Sequence, residues 1–141
     1  MKKKNTDDLQ NELTASVNLS KFLSANREHF VSGNFAEMLQ DLFQRSGLSK
    51  AALAKRAGTS EVYLYQIFSG ERTPSRDRTL CLCYGLSATL DETQELLKGN
   101  GFAQLYVRNR RDAILIYGFI HHMELDEIND RLFAEDEPTL C

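Results

Sequence analysis

The chain has 141 residues, of which 42% are hydrophobic and 26% charged, and it carries a net charge of −3 at pH 7. That composition is long enough to bury a core, and the balance is not basic enough overall for a binder that relies on charge alone. No apolar run approaches a membrane span and the start, Met1 to Asp8, lacks the apolar stretch of a signal peptide, so the expectation is a cytoplasmic protein with no membrane partner. The charge is unevenly placed. Residues 35–87 hold seven Lys/Arg against five Asp/Glu, whereas residues 88–141 hold five against eleven. A mildly basic middle is thus followed by an acidic extension. Three cysteines, Cys81, Cys83 and Cys141, form no disulfide framework, and Cys81 and Cys83 point in different directions on a helix. The lone Cys-x-Cys and the adjacent His121-His122 lack metal-ligand spacing, so no metal and no other cofactor is expected.

In chain order, Lys2-Lys3-Lys4 reads as a frayed end, with a basic arm on phosphates as the alternative. Residues 1–33 form an N-terminal helical extension. Leu9, Leu13 and Val17 mark one helix and Phe22, Leu23 and Phe30 another, packing either on the rest of the chain or on a second copy. Asn34-Phe35-Ala36-Glu37 is a capping-box variant that opens a helix whose apolar stripe is Phe35, Met38, Leu39, Leu42 and Phe43, ending at Ser46-Gly47. Ser49 caps a short helix with Leu53, Ala54 and Ala57 on its apolar side, and Gly58 supplies the left-handed residue that stops it. Ser60 caps the next. There Leu64 and Ile67 share one face, while Glu61, Val62, Tyr65, Gln66 and Ser69 share the other. Tyr63 and Phe68 read as core or core edge. After Gly70, Pro74-Ser75 opens a helix to about Leu86, with Leu80, Cys83 and Leu86 inward. Thr89-Leu90-Asp91-Glu92 is a further capping box, starting a helix with Leu90, Thr93, Leu96 and Leu97 on one side and a stop at Gly99-Asn100-Gly101.

The tail carries an internal repeat. Residues 78–85 align with residues 111–118 at an offset of 33, pairing Tyr84-Gly85 with Tyr117-Gly118. Two residues are then inserted, and Leu90-Asp91-Glu92, Leu97 and Leu105 align with Leu125-Asp126-Glu127, Leu132 and Leu140 at an offset of 35. Each copy is a helical hairpin followed by a loop that ends on a leucine. The expectation is an all-α chain of seven to nine helices, with a domain over residues 34–106 and an acidic hairpin over residues 107–141 packed on it. Arg110 and Arg111 read as surface charge or helix-end pairing, and Glu135-Asp136-Glu137 as a solvated surface.

Between Phe35 and Glu92 the ordered set Leu48, Leu53-Ala54, Gly58, Ser60, Leu64, Ile67, Gly70, Pro74-Ser75, Leu80, Leu82, Leu86 and Leu90-Asp91-Glu92 resembles the Cro/lambda-repressor-like family, also called the xenobiotic-response-element family. The resemblance implies a five-helix domain with a helix-turn-helix, binding double-stranded DNA as a homodimer and acting in transcription regulation. It implies that residues 60–69 enter the major groove, with Glu61, Val62 and Gln66 facing base edges and Tyr65 and Ser69 nearby. Gln66 is the best base reader, since its amide can both donate to and accept from adenine. Phosphate contacts are implied at Ser49, Lys50, Ser60 and Arg72, with Arg76 and Arg78 close by, the last two being equally readable as surface charge or helix-end pairing.

A different class of function is open on the same residues. The helix over residues 60–69 has aromatics and no Lys or Arg, which suits a protein-interaction adaptor without DNA binding, with the acidic hairpin as a further protein contact. An enzyme is not expected, because no nucleophile motif or phosphate-cradling loop is present and His29, His121 and His122 lack an acidic or cysteine partner arrangement. The C-terminal hairpin is read as completing the core in preference to binding an effector.

Overall fold

The computed structural model describes residues 5–26 and 35–141. Asn34, Lys2-Lys3-Lys4, His29 and Phe30, all named above, lie outside the described residues. Among the described residues the chain is helical throughout, with α1 (Thr6–Ala15), α2 (Leu19–Ala25), α3 (Phe35–Ser46), α4 (Lys50–Arg56), α5 (Glu61–Phe68), α6 (Arg76–Gly85), α7 (Leu90–Gly99), α8 (Arg110–Ile120) and α9 (Leu125–Ala134). The starts are set by side-chain caps. Ser49, Ser60, Ser75 and Thr89 each accept a backbone N–H from the first turn of α4, α5, α6 and α7, and Asn5, Asn18 and Asn109 do the same for α1, α2 and α8. Val17, expected on the first helix, instead lies in the α1–α2 connection and is fully exposed, because Ser16 ends α1 in extended backbone.

One hydrophobic cluster runs from Phe35 to Leu140, so α8 and α9 share a core with α3 to α7. At its centre is α6, in which every residue from Thr79 to Gly85 is buried. A helix enclosed on all sides needs neighbours on all sides. On one side α4 crosses it closely: a Cβ on Gly85 would sit 3.1 Å from both Ala57 Cβ and Leu53 Cδ1. On another, the Tyr84 hydroxyl donates to the Leu115 carbonyl of α8 at 2.6 Å and its ring stacks on Phe119 at 4.0 Å. At the surface, Arg45 of α3 reaches Glu92 of α7 at 2.8 Å.

The α6–α7 and α8–α9 hairpins make the same contacts at a constant offset of 35. Ser87 and His122 are both left-handed, with φ of 53° and 52°. Ala88 N–H donates to Cys83 O at 3.0 Å and Met123 N–H to Gly118 O at 2.9 Å. Gln94 Oε1 accepts the Leu105 N–H at 2.7 Å, and Asn129 Oδ1 accepts the Leu140 N–H at 2.8 Å. Both leucines are buried. The offset of 33 expected for the first helix of each copy, and the two-residue insertion after it, are therefore corrected. Register is counted back from the left-handed residue that ends each first helix, and an error of two residues turns a side chain by about 200° around its axis. Tyr84 is accordingly matched by the buried Phe119, whereas Tyr117 is 46% exposed on the outer face.

At this offset the dipeptides Arg76-Asp77 and Arg111-Asp112 are also equivalent, and they pair by exchange. Arg76 Nη2 meets Asp112 Oδ2 at 3.1 Å, and Arg111 Nη1 meets Asp77 Oδ1 at 3.0 Å. The N-terminal turns of α6 and α8 are thereby clamped side by side.

Gly118 sits where α6, α8 and α9 converge, and a Cβ there would lie 2.5 Å from the Tyr84 hydroxyl and 2.7 Å from Ile128 Cδ1. Gly118→Ala is expected to lower stability by about 1–3 kcal/mol in urea unfolding, through overpacking. A second expectation concerns acid. Burial by itself raises the Glu92 pKa, but hydrogen bonds from Thr89 and Arg45 outweigh it and hold the carboxyl below its ordinary value. With the folded pKa depressed, this contribution is present above the unfolded pKa and is lost as pH falls through the folded pKa. Unfolding curves of Glu92→Gln taken from neutral to acid pH should show a smaller loss of stability than those of the parent chain.

Candidate nucleic-acid interface

Helices α4 and α5 are short, of seven and eight residues, and their turn holds them together. Ala57 N–H closes α4 on Leu53 O at 2.8 Å, Gly58 turns left-handed at φ 64°, and Thr59 N–H returns to Ala54 O at 2.9 Å. Ser60 then starts α5 by accepting the Tyr63 N–H at 3.1 Å. Leu53, Ala54 and Ala57 from α4 and Leu64 and Ile67 from α5 are buried, which fixes the rotation of both helices. Phe68, at the end of α5, packs on Phe43 of α3 with ring centroids 5.0 Å apart.

With that side anchored, the opposite side of α5 faces outward. Glu61, Val62, Tyr65 and Ser69 are exposed, Val62 and Tyr65 by 67% and 56%, and Gln66 is half-buried at the margin of the face. All five fall within an arc of roughly 140°. Tyr63 and Phe68 are half-buried against the core.

The cations expected near phosphate divide into three kinds. Lys50, in the first turn of α4, places its Nζ 4.3 Å from the centroid of the Tyr65 ring and 5.8 Å from that of Phe68, so the ammonium lies at the border of the α5 face. Arg72 is exposed beyond the end of α5; its backbone N–H donates to Gln66 O at 3.0 Å, and its guanidinium makes no ion pair among the described residues. Arg78 is half-buried under the turn, with Nη1 3.5 Å from Gly58 O and its guanidinium 5.5 Å from the Tyr63 ring centroid.

Arg76 is of the third kind and departs from the phosphate expectation. Its Nε donates to Ala103 O at 3.0 Å, Nη2 to Gln104 O at 3.3 Å, and both terminal nitrogens grip Asp112. The reason is proximity to a buried carboxylate: Asp112 is 6% exposed and needs a cation. Arg111 is committed in the same way, to Asp77 and to the carbonyls of Pro138 and Thr139, and Arg110 pairs with Glu135 and Glu137. Ser49 and Ser60 spend their hydroxyl oxygens as caps while remaining exposed. Sequence reasoning missed the Lys50–Tyr65 contact. Its signal lay in the spacing of a cation in the first turn of one helix and an aromatic in the middle of the next.

Residues 34–96 match the family described as a helix-turn-helix domain. The matched segment contains α4, the turn at Gly58 and α5. The match ends within α7, so α8 and α9 lie beyond it. No curated protein and no solved structure matches the chain.

Arg76→Ala leaves Asp112 without its cation and is expected to cost about 2–3 kcal/mol in chemical denaturation. Arg72→Ala, on the exposed loop, is expected to stay within about 0.5 kcal/mol of the parent.

Proposed function

We propose that the protein is a sequence-specific DNA-binding transcriptional regulator of the Cro/lambda-repressor-like kind, laying α5 in the major groove and acting as a homodimer in the cytoplasm. The observation that carries this reading is the outward side of α5 in a matched helix-turn-helix: Glu61, Val62, Tyr65, Gln66 and Ser69 stand together, with Lys50 at the border and Arg72 beyond the end. In the groove, Gln66 pairs with adenine, Val62 contacts a thymine methyl and Glu61 accepts from a cytosine amino group. Phosphates are met by Lys50, Arg72 and Arg78 and by the N-terminal turns capped by Ser49 and Ser60. Such contacts position the helix without reading sequence. One eight-residue helix has a small footprint, and two copies on half-sites about one turn apart multiply weak contacts.

A second reading is favoured by the same face. α5 carries no Lys or Arg, and Val62 and Tyr65 stand exposed on it as large apolar side chains. In this reading the domain is an adaptor whose α5 contacts a protein, and the acidic hairpin, with Tyr117, Ile120 and Phe133 exposed, contacts a further one.

Selection from a random duplex pool, followed by titration of the enriched site at several salt concentrations, separates the two. The regulator reading expects a two-fold motif, with log affinity falling linearly with log salt. Gln66→Ala should relax preference at one base position by about 1–3 kcal/mol, whereas Arg72→Ala should weaken all sequences alike and reduce the salt slope by about one. Absence of enrichment together with salt-independent behaviour would sink the regulator reading in favour of the adaptor.

A further inference from the structure

The three cysteines, unremarkable in the sequence, are not equivalent in the fold. Cys83 is fully buried in α6, and burial pushes its thiol up to about 12. Cys81, two residues earlier on the same helix, turns the other way and lies 3.1 Å, sulfur to sulfur, from Cys141, which is exposed. Sixty residues of chain separate the two.

Cys141 is held at that place by the segment leading to it. Arg111 donates to the carbonyls of Pro138 at 2.9 Å and Thr139 at 3.1 Å. Asn129 Oδ1 takes the Leu140 N–H at 2.8 Å while its Nδ2 donates to Cys141 O at 3.4 Å, and the Leu140 side chain is buried. The segment thus lies as a strap along α6, α8 and α9, with Cys141 Sγ 3.3 Å from where a Cβ on Gly58, in the turn of the helix-turn-helix, would be. Two thiols held in contact, one on an exposed residue and one on a buried residue, form the arrangement of an attacked and a resolving cysteine.

We propose that Cys81 and Cys141 are a peroxide-oxidisable thiol pair whose reversible disulfide pins the strap over residues 138–141 to α6 beside the turn of the helix-turn-helix. The sulfur of Cys141, the exposed residue of the pair, attacks one oxygen of the peroxide as a thiolate. The O–O bond breaks, the other oxygen leaves as hydroxide and becomes water with the proton given up by Cys141, and Cys141 becomes a sulfenic acid. The Cys81 sulfur then attacks Cys141 Sγ, the S–O bond breaks, and the departing hydroxide takes the Cys81 proton to leave as water. Two thiols lose two electrons and two protons, and the peroxide is reduced to two waters. Burial raises the Cys81 thiol and keeps it protonated, so the order of events is set with Cys141 first. An external dithiol reverses the reaction at Cys141. The inference is independent of whether α5 meets DNA or protein.

The test uses the full chain, reduced, desalted and titrated with hydrogen peroxide, then read by intact mass, thiol counting and non-reducing peptide mapping. The expected result is loss of two of the three thiols, a mass lower by two hydrogens, a Cys81–Cys141 cross-linked peptide within single chains, survival of the Cys83 thiol, and full recovery with a dithiol. The cross-linked form should unfold with an equilibrium constant lower by about tenfold or more, as a disulfide across a long loop requires. Cys141→Ser, altering an exposed residue, should abolish the cross-link and keep both remaining thiols; Cys81→Ser should instead accumulate a sulfenic acid at Cys141 that dimedone traps. A folded parent chain that yields no intramolecular cross-link, or one that joins separate chains, or equal thiol loss in Cys141→Ser, would overturn the proposal, and the Cys141→Ser result stands even if Cys81→Ser fails to fold.

Discussion

Enclosure of α6 is the constraint on which the remaining structure depends. A helix with one apolar stripe can lie on the surface of a bundle, but seven consecutive buried residues, Thr79 to Gly85, require cover around the whole circumference. α4 covers the Gly85 side, α7 folds back along it from the Ser87 turn, and α8 and α9 close the side that carries Tyr84. The domain matched at residues 34–96 supplies only the first two of these. Without the second hairpin, Tyr84 would lose its hydroxyl partner and Cys81 its contact with Cys141, so the hairpin beyond the match is part of what encloses α6.

The same helix explains how charge is spent. Arg76 sits in the stretch over residues 35–87 whose mild positive charge, counted along the chain, suggests a surface for phosphate, and Arg111 sits in the acidic extension beyond it. In the fold their guanidinium groups are turned inward on Asp112 and Asp77. What remains beside α5 is Lys50 over Tyr65, Arg72 in the open and Arg78 under the turn. An aromatic ring beneath an ammonium keeps that charge at a fixed place on an otherwise uncharged or acidic helix face.

Much of the fold was legible because its signals are local. Ser49, Ser60, Ser75 and Thr89 are recognisable as caps from their own neighbours, Gly58 and Gly70 as left-handed stops, and the α3 stripe from its helical spacing. The outward set on α5 followed from the same periodicity once Leu64 and Ile67 were placed inside. What stayed hidden depends on partners far along the chain: the Arg–Asp exchange across 34 and 36 residues, and the Cys81–Cys141 contact across sixty. The repeat lay between these cases. Its existence shows in residue identities, but Tyr-Gly recurs at 84–85 and 117–118 by coincidence of composition, and only the turn at Ser87 and His122 fixes the register.

The paired exchange of Arg76 and Arg111 has the form of a contact between two identical subunits, in which each partner gives and receives the same groups. Here both partners belong to one chain, joined through the loop between α7 and α8 that carries Leu105. A contact of this form between separate molecules weakens as they are diluted. Written into one polypeptide, its effective concentration is set by the tether and does not change with the amount of protein present.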